Sequence, residues 1–326
     1  MSNDHQSRIR HYPTGWFAVA FSSDVEPGAL VPLRYFGREL VLFRTGSGKA
    51  CVADAYCPHM GAHLGKGGTV QGETIRCPFH GWKFSENGQC IDAPCRELTP
   101  KAHLSMWPVI EQNHIILVWH DALNRVPKWQ VPLHPEPPVP QFAKRILLSG
   151  VRTQVRDVFE NIVDFEHFHV VHGTNPVHAN KVQVDPLFPH QLSVLASTLG
   201  NDSPYDFEMN AMLIGPGHGK AEGAAWGYPE YRAHNTFYAT PIDEDTLDIR
   251  SVCRLLVDEF DSDALDSLSI VAATACENVR HQLEADIVIW ENKRREHGPG
   301  SPRYAGTYIA DFRKWYETFH PDNAAT

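Results

Sequence analysis

Short apolar and alternating runs, separated by turn residues, dominate the first third of the chain. Glu39–Arg44 and Ala50–Asp54 are two such runs, and the glycines between them are typical of a hairpin turn. Ile115–His120 has the same character. The pattern predicts an all-β domain over residues 13–125, preceded by an N-terminal leader of residues 1–12.

A proline-rich stretch follows this domain. Six of the fourteen residues from Pro127 to Pro140 are proline, which removes backbone donors and fixes φ. We therefore predict an extended linker over residues 126–140 that separates two domains.

Beyond the linker, residues 141–326 mix helical and strand patterns. Phe159–Val171 predicts a helix, and Arg232–Val257 predicts two strands around a turn at Pro241–Asp245. A long helix is expected from about Ser267 to His297. Helices packed on an antiparallel sheet make this an α+β domain, and α+β is the fold class predicted for the chain.

One acidic residue interrupts the apolar stripe of the long predicted helix. The stripe recurs every three or four residues and contains Cys276, Val279, Leu283, Ile287 and Trp290. A separate polar face contains Glu277, Glu284 and Glu291. Asp286 alone lies within the stripe, where a carboxylate is costly unless it is paired or bound to a metal. We predict that Asp286 binds a metal; an ion pair with Arg294 is the alternative.

Composition narrows the classes of function. The 326 residues are 42% hydrophobic, which is enough for a folded core, and Asp plus Glu exceed Lys plus Arg by 39 to 29. The net charge of -10 disfavours a binder of nucleic acid or of anionic membranes. Neither a transmembrane run nor the apolar core of a signal peptide occurs, so we expect a cytoplasmic protein. In that compartment, 19 His beside 7 Cys favour metal binding over disulfides.

Two Cys–His pairs have the spacing C-x-H-x17-C-x2-H. Two thiolates and two imidazoles suit zinc, or a [2Fe-2S] cluster in which His replaces Cys on one iron. A zinc finger would pair C-x2-C with H-x3-5-H, and the sequence has no C-x2-C. The spacing resembles the Rieske iron–sulfur motif, which implies that Cys57, His59, Cys77 and His80 bind a [2Fe-2S] cluster.

Other cysteines and one histidine near these pairs lack ligand spacing. His63 is not needed by the motif and is expected to be packed or solvated. Cys51, Cys90 and Cys95 flank the motif, and a disulfide between Cys90 and Cys95 is disfavoured by a reducing compartment.

The predicted domain after the linker contains a nine-residue stretch with one aspartate and three histidines, namely Asp164, His167, His169 and His172. Spacing alone does not select the ligands, because Asp164 and His167 share a helix face and so do His169 and His172. The stretch resembles the D-x2-H-x4-H motif of Rieske non-haem iron oxygenases. The resemblance implies that His167 and His172 bind iron, with the second beyond a distortion of the helix, and that His169 does not.

The resemblance also implies roles for three other residues. Asp164 would accept a hydrogen bond from His80 of the partner subunit and hold His167, which implies a homotrimer. Asn161 would lie near the iron. The segment that begins at Asp286 resembles the one around the family's third ligand, which would complete a site of two His and one carboxylate for Fe(II).

The likeness extends from about Tyr12 to Asn292 and implies a helix-grip catalytic domain. The segments Tyr56–Gly65, Trp107–Trp119 and Asp286–Trp290 resemble the steroid-directed branch, which includes 3-ketosteroid 9α-hydroxylases and Neverland-type cholesterol 7-desaturases. That branch implies a terminal oxygenase that hydroxylates or desaturates a C–H bond of a bulky apolar, steroid-like substrate, with monooxygenation favoured over dioxygenation. The alternatives are the same machinery acting on a small aromatic acid, ether or amine, and a Rieske electron carrier without oxygenase activity.

The electron donor and the substrate pocket complete the prediction. No G-x-G-x-x-G follows a strand, so electrons from NAD(P)H must arrive through a separate reductase or ferredoxin, and the acidic charge suits docking by charge complementarity. Residues 183–233 are expected to line much of the pocket, with Met209, Met212 and Trp226 as its apolar candidates.

Overall fold

The computed structural model describes residues 12–94, 101–198, 208–257, 262–294 and 307–320. They form two compact units, which meet in sequence between Lys128 and Trp129, within the predicted linker; residues 12–15 belong to the second unit. None of the helices in these ranges is both long enough and apolar enough to span a membrane.

The first unit contains three small sheets. Its strands are β1 (Gly15–Phe21), β2 (Leu30–Tyr35), β3 (Arg38–Arg44), β4 (Ala50–Asp54), β5 (Thr69–Gln71), β6 (Thr74–Arg76), β7 (Lys83–Ser85), β8 (Cys90–Asp92), β9 (Met106–Trp107), β10 (Val109–Gln112) and β11 (Ile115–His120). The sheet orders are β1-β11-β10, β2-β3-β4-β9 and β5-β6-β7-β8.

The strands predicted in this unit are confirmed. β3 and β4 form an antiparallel hairpin in which Leu40 lies opposite Asp54 and Arg44 opposite Ala50. β11 is buried along its whole length. The turn before it uses positive φ at Asn113, since asparagine tolerates this conformation better than most residues.

The core of the first unit joins the hairpin sheet to the sheet of β5–β8. Val41 and Phe43 from β3 pack with Ile75 and Phe84, and Cys57 and Cys77 belong to the same buried cluster. Both cysteines therefore belong to the buried core of the first unit.

A seven-stranded antiparallel sheet forms the second unit, in the order β12-β18-β17-β16-β15-β14-β13. Its strands are β12 (Ala143–Val151), β13 (Val177–Val184), β14 (Gln191–Thr198), β15 (Glu208–Ile214), β16 (His218–Ala225), β17 (Tyr228–Pro241) and β18 (Leu247–Leu256). The helices are α1 (Val155–Glu160), α2 (Phe165–His172), α3 (Leu265–Trp290) and α4 (Tyr308–Glu317). Leu268, Ala272 and Ala275 pack α3 against the sheet, and the predicted β17–β18 pair is confirmed.

The single helix predicted over Phe159–Val171 is wrong, because the chain forms two helices there. The backbone leaves helical geometry at Asp164, whose amide donates to the carbonyls of Glu160 and Asn161. Asn161 and Asp164 are residues of low helix propensity, which favours a break at this point. The break therefore precedes both predicted iron ligands, and α2 continues to His172 without the expected distortion.

The long helix ends at Trp290 rather than near His297, which lies outside the described residues. The apolar stripe stops at Trp290, so a longer helix would bury nothing on the sheet. The side-chain amide of Asn292 donates to the carbonyl of Val288 at 2.8 Å, which satisfies one of the last carbonyls of the helix.

Three buried histidines lie together in the second unit. His134 comes from the proline-rich segment, His218 from β16 and His234 from β17. The Nε2 atoms of His134 and His218 are 3.1 Å apart, and the rings of His134 and His234 have centroids 4.8 Å apart. Burial lowers the pKa of His134 to about 2, that of His218 to about 3 and that of His234 to about 4.

These histidines predict an acid-sensitive stability. Because their pKa values lie below about 6.5, the value of an unfolded histidine, the unfolded chain binds more protons below that pH and stability falls as the pH drops. Each buried histidine should cost about 2 kcal/mol between pH 6.5 and 5. Urea unfolding against pH should show a shallower dependence for His234→Gln. The variant His281→Gln, whose side chain is 61% exposed, should keep the wild-type slope; equal slopes in all three proteins would contradict the assignment.

Candidate metal centres

Two loops of the same hydrogen-bond pattern carry the predicted cluster ligands in the first unit. In one loop the amide of Cys57 donates to the carbonyl of Ala62, and the amide of Gly61 donates to the carbonyl of Cys57, each at 2.9 Å. The second loop repeats both bonds around Cys77 and Gly81, at 2.8 and 3.2 Å. Both glycines have a φ of +70°, where a side chain would be strained. The glycine four residues after each cysteine therefore closes the loop around it.

The four predicted cluster ligands come together at these loops. Cys57 and Cys77 are 3% and 2% exposed, and their thiols are in hydrogen-bonding contact. The imidazole rings of His59 and His80 are half-buried, with centroids 4.7 Å apart. Trp82 stacks on His59 at 4.0 Å and fixes the plane of its ring.

This arrangement fits a [2Fe-2S] cluster with unequal irons. The two sulfurs suit one iron and the two imidazoles suit the other. Burial raises the pKa of the Cys57 thiol to about 11, so a bound metal is what would keep this sulfur ionised at neutral pH.

The neighbouring residues excluded from the cluster have structural surroundings. His63 accepts a hydrogen bond from the amide of Gly65 at 3.1 Å, and its ring lies edge-on to Tyr56. Cys51 and Cys90 are free and buried. Cys95 lies outside the described residues, so the disulfide with Cys90 stays a prediction.

In the second unit, α2 and α3 bring the three predicted iron ligands together. The ligand atoms of His167, His172 and Asp286 all lie within 4.8 Å of one another. Asp286 Oδ1 is 3.4 Å from His172 Nε2 and 4.0 Å from His167 Nε2. Among the residues that the structure describes, Asp286 makes no ion pair with Arg294, the alternative considered for it.

The ring of His167 is held in a defined orientation by its own helix terminus. Its Nδ1 hydrogen-bonds to the backbone carbonyl of Asp164, which leaves Nε2 as the atom that faces Asp286. The contact differs from the one expected, because the backbone of Asp164 makes it and not the carboxylate. Burial lowers the pKa of His167, which favours the neutral form that binds metals.

His169 and Asn161 have different surroundings from those of the three ligands. The exposed His169 is turned to the carbonyl of Thr174, 2.5 Å from its Nδ1, and does not join the group. Asn161 accepts a hydrogen bond from Trp290 Nε1 at 3.4 Å and lines the adjoining cavity. Asn161 therefore connects the end of α1 to the end of α3 beside the predicted iron site.

The donors in this group fit a divalent iron ion. Asp286 is buried, yet its Oδ1 has no hydrogen-bond partner among the described residues, and neither has Nδ1 of His172. An unsatisfied buried carboxylate oxygen is costly, and a metal ion would satisfy it. Two imidazoles and one carboxylate are the donor set of mononuclear Fe(II) sites with open coordination positions.

A cavity of about 180 Å³ borders this group, and sequence reasoning found only part of its wall. Met209 and Trp226 line it as expected, whereas Met212 does not, because it alternates to the other face of β15. Gly219 and Ala221 on β16 belong to the stretch expected to line it, and a Cβ at Gly219 would lie 3.0 Å from Phe159. The missed wall comes from the helices and includes Phe159 on α1 and Gln282 on α3.

A further missed pair anchors α1, the helix that ends at Asn161. The guanidinium of Arg313 on α4 donates to both carboxylate oxygens of Glu160, at 2.5 and 2.8 Å, and both side chains are buried. Bidentate pairs of this kind fix orientation. Ion pairing between distant segments leaves no local sequence pattern, which explains why it was missed.

Comparison with known proteins identifies the family of this chain. The sequence matches the Rieske [2Fe-2S] domain over residues 15–105 and the 3-ketosteroid 9alpha-hydroxylase C-terminal domain over residues 118–320. It is 28% identical over 345 residues to a cholesterol 7-desaturase of Ciona intestinalis, covering 96% of this chain and 70% of that protein. It is also 28% identical over 331 residues to a probable 3-ketosteroid-9-alpha-monooxygenase oxygenase component of Rhodococcus rhodochrous, covering 95% and 80%.

The fold is also that of solved oxygenases. The crystal structure of dicamba monooxygenase bound to dicamba superposes with a TM-score of 0.71 at 18% identity, over 98% of this chain and 99% of that one. The predicted fold class and enzyme class are thus confirmed. The chain belongs to the Rieske oxygenases, oxidoreductases that join a [2Fe-2S] domain to a catalytic domain, here of the 3-ketosteroid 9alpha-hydroxylase type.

Proposed function

We propose that this chain is a terminal oxygenase that hydroxylates or desaturates a C–H bond of a bulky apolar, steroid-like molecule. Dioxygen would be the oxidant, and a separate reductase or ferredoxin would pass on electrons from NAD(P)H. The observation that carries the proposal is the largely apolar cavity of about 180 Å³ that opens on His167, His172 and Asp286.

The walls of this cavity suit an extended hydrocarbon skeleton. Helix α3 contributes Val279, Leu283 and Trp290, and the sheet and α1 contribute Phe237 and Phe159. Apolar and aromatic walls bind an apolar ligand by burial and keep water from the reacting carbon. The small residues Gly219 and Ala221 of β16 add little bulk to this wall.

Two amides give the cavity a polar end. Asn235 on β17 and Gln282 on α3 line it and are half-buried. Neither side chain has a hydrogen-bond partner within the described part of the chain. An amide can donate and accept, so either one would hold a ketone or hydroxyl oxygen of the substrate. The relatives' names, ketosteroid and cholesterol, describe molecules with one such oxygen on an apolar skeleton.

The metal groups would supply the redox chemistry: the cluster would pass electrons singly and the iron would activate dioxygen. The residues of the chain would bind these metal groups and orient them. His167 and His172 are fixed by α2, and Asp286 would complete the iron site. The half-buried carboxylate of Asp164 is not engaged by His167, which supports its proposed role as acceptor for His80 of the partner subunit. That contact, the homotrimer it requires and a cytoplasmic location stay predictions.

Substrate turnover tests the proposal directly. The enzyme, reconstituted with iron and a ferredoxin–reductase pair, is screened against a steroid panel and a panel of aromatic acids, ethers and amines. We expect oxygen consumption coupled to product only with steroids, and mass spectrometry with isotope-labelled dioxygen will identify the product. Coupled consumption only with the aromatic panel would reject the steroid proposal. Iron content separates both from an electron carrier, which would hold two irons per chain instead of three.

The polar end of the cavity predicts a specific loss of affinity. In Asn235→Ala or Gln282→Ala, KM for an oxygenated steroid should rise about 3- to 10-fold, the cost of one hydrogen bond. KM for the same skeleton without that oxygen should not change. The control Asn292→Ala removes an exposed amide that bonds only within α3's last turn and should leave both values unchanged. Equal losses for both substrates would show that the amides shape the cavity and do not bind the oxygen.

A further inference from the structure

Two buried cysteines that the metal centres do not use meet between the sheet and α3. Cys253 on β18 is 5% exposed and Cys276 on α3 is 6% exposed. Ala275 and Val279, which flank Cys276 on α3, line the same small cavity as Cys253, and each thiol shifts the pKa of the other. Ser251 Oγ lies 3.7 Å from the Cys253 sulfur. A disulfide holds its sulfurs roughly 2 Å apart, so its formation has to draw β18 and α3 together locally.

The two thiols are not equivalent. The interaction with Cys253, together with the positive charge of Arg280 one turn further along α3, lowers the pKa of Cys276. The same contact and burial raise the pKa of Cys253. Since the thiolate is the nucleophile in thiol oxidation, Cys276 is the sulfur that reacts first and Cys253 the one that resolves the product.

A small oxidant has a place to reach this pair. A cavity of about 10 Å³ borders Cys253, which is about the space that one water molecule requires. Trp226, Asn235 and Val279 line this small cavity and also the large one beside the predicted iron site. These three side chains therefore lie between Cys253 and the space in which dioxygen would be reduced.

We propose that Cys253 and Cys276 form a peroxide-sensitive dithiol whose oxidation ties β18 to α3. The Cys276 thiolate attacks hydrogen peroxide, the O–O bond breaks, and a sulfenic acid and hydroxide form. The Cys253 sulfur then attacks the sulfenic sulfur, the S–S bond forms, and the oxygen leaves as water once protonated. Overall, two thiols and one peroxide give one disulfide and two waters. The link lies on the same helix as Asp286, so it would fix one wall of the substrate cavity until a thiol reductant reopens it.

Peptide mapping of the intact holoenzyme tests this proposal. The protein is treated with increasing hydrogen peroxide, up to the dose at which the visible absorbance of the cluster begins to fall. It is then denatured in an alkylating agent and digested without reductant. We expect a linked peptide pair containing Cys253 and Cys276, loss of two alkylatable thiols per chain, and recovery of both after dithiothreitol. A second series with diamide, which oxidises dithiols without peroxide, should give the same pair.

Single substitutions test which cysteine reacts first and whether the linked pair is specific. Cys276→Ser should abolish thiol loss at low peroxide, whereas Cys253→Ser should let Cys276 proceed to the sulfinic acid. Cys51→Ser changes a buried cysteine of the first unit and should leave the linked pair unchanged. The proposal is overturned if wild-type Cys253 and Cys276 stay alkylatable with both oxidants, or if peroxide joins either cysteine to another partner.

Discussion

Replacing Asp286 by alanine is expected to remove the mononuclear iron and abolish product formation, while the visible absorbance of the cluster stays unchanged. Asp286 supplies the carboxylate oxygen of the three-residue group, 3.4 Å from His172 Nε2. Loss of a residue that merely supports a ligand already costs about 10- to 100-fold, so loss of the ligand should lower turnover by at least about 100-fold. Iron analysis should fall from three to two atoms per chain.

Asp286→Ala should abolish activity, yet it is not expected to lower the stability of the metal-free protein. In the metal-free protein Asp286 is a buried carboxylate whose Oδ1 has no hydrogen-bond partner within the described residues. Removing such a group relieves a desolvation cost, so metal-free Asp286→Ala should unfold at the same or a higher urea concentration than the metal-free wild type. A purely structural aspartate would give the reverse order.

Glu284→Ala is the matched control for this experiment. Glu284 lies two residues earlier on α3 and is exposed, so its loss should change neither iron content nor turnover. Intact turnover in Asp286→Ala would contradict the assignment of Asp286 as an iron ligand. Loss of the cluster in the same variant would equally contradict it, because Asp286 and the cluster ligands belong to different units.

The cluster ligands could be proposed from sequence because the motif is local. Each loop holds a cysteine, a histidine and the glycine that closes it within a few residues, as in Cys57, His59 and Gly61. Asp286 is distant in sequence from the histidines, yet one charge in an apolar stripe still marked it. A carboxylate is costly in an apolar stripe unless a metal or a partner binds it, and this conflict is what indicated a metal at Asp286.

The histidine pair could not be chosen from helical spacing. His172 follows His167 by five positions, which places them about 140° apart on an ideal helix, whereas His169 and His172 share a face. His172 nevertheless joins His167, because α3 brings Asp286 against both. Family resemblance supplied the assignment that periodicity lacked.

Three features of the structure were not predicted from the sequence, and two of them depend on tertiary packing. The helix break at Asp164 is a change in backbone geometry that a count of apolar residues ignores. The cavity wall depends on strand register, which put Met209 inside and Met212 outside. The Glu160–Arg313 pair joins residues 153 positions apart, a separation that no local window covers.

Replacing Cys77 by alanine is expected to remove the [2Fe-2S] cluster and leave the substrate cavity intact. Cys77 would be one of two sulfurs for one iron, and a single sulfur would not hold the cluster there. Iron should fall from three atoms per chain to one, the visible absorbance should vanish, and product formation with the reductase should fall below detection. Substrate binding should persist, because the cavity is lined wholly by residues of the second unit; quenching of Trp226 and Trp290 fluorescence would measure it.

Cys90→Ala separates this effect from a simple loss of packing. Cys77 and Cys90 are both 2% exposed and belong to the same buried cluster of the first unit, so truncation should leave a similar void and a similar loss of stability. Only Cys77→Ala should lose iron and sulfide. Equal loss in both variants would mean that the cluster depends on the packing of this core. Product formation in cluster-free Cys77→Ala would mean that electrons reach the second unit by another route.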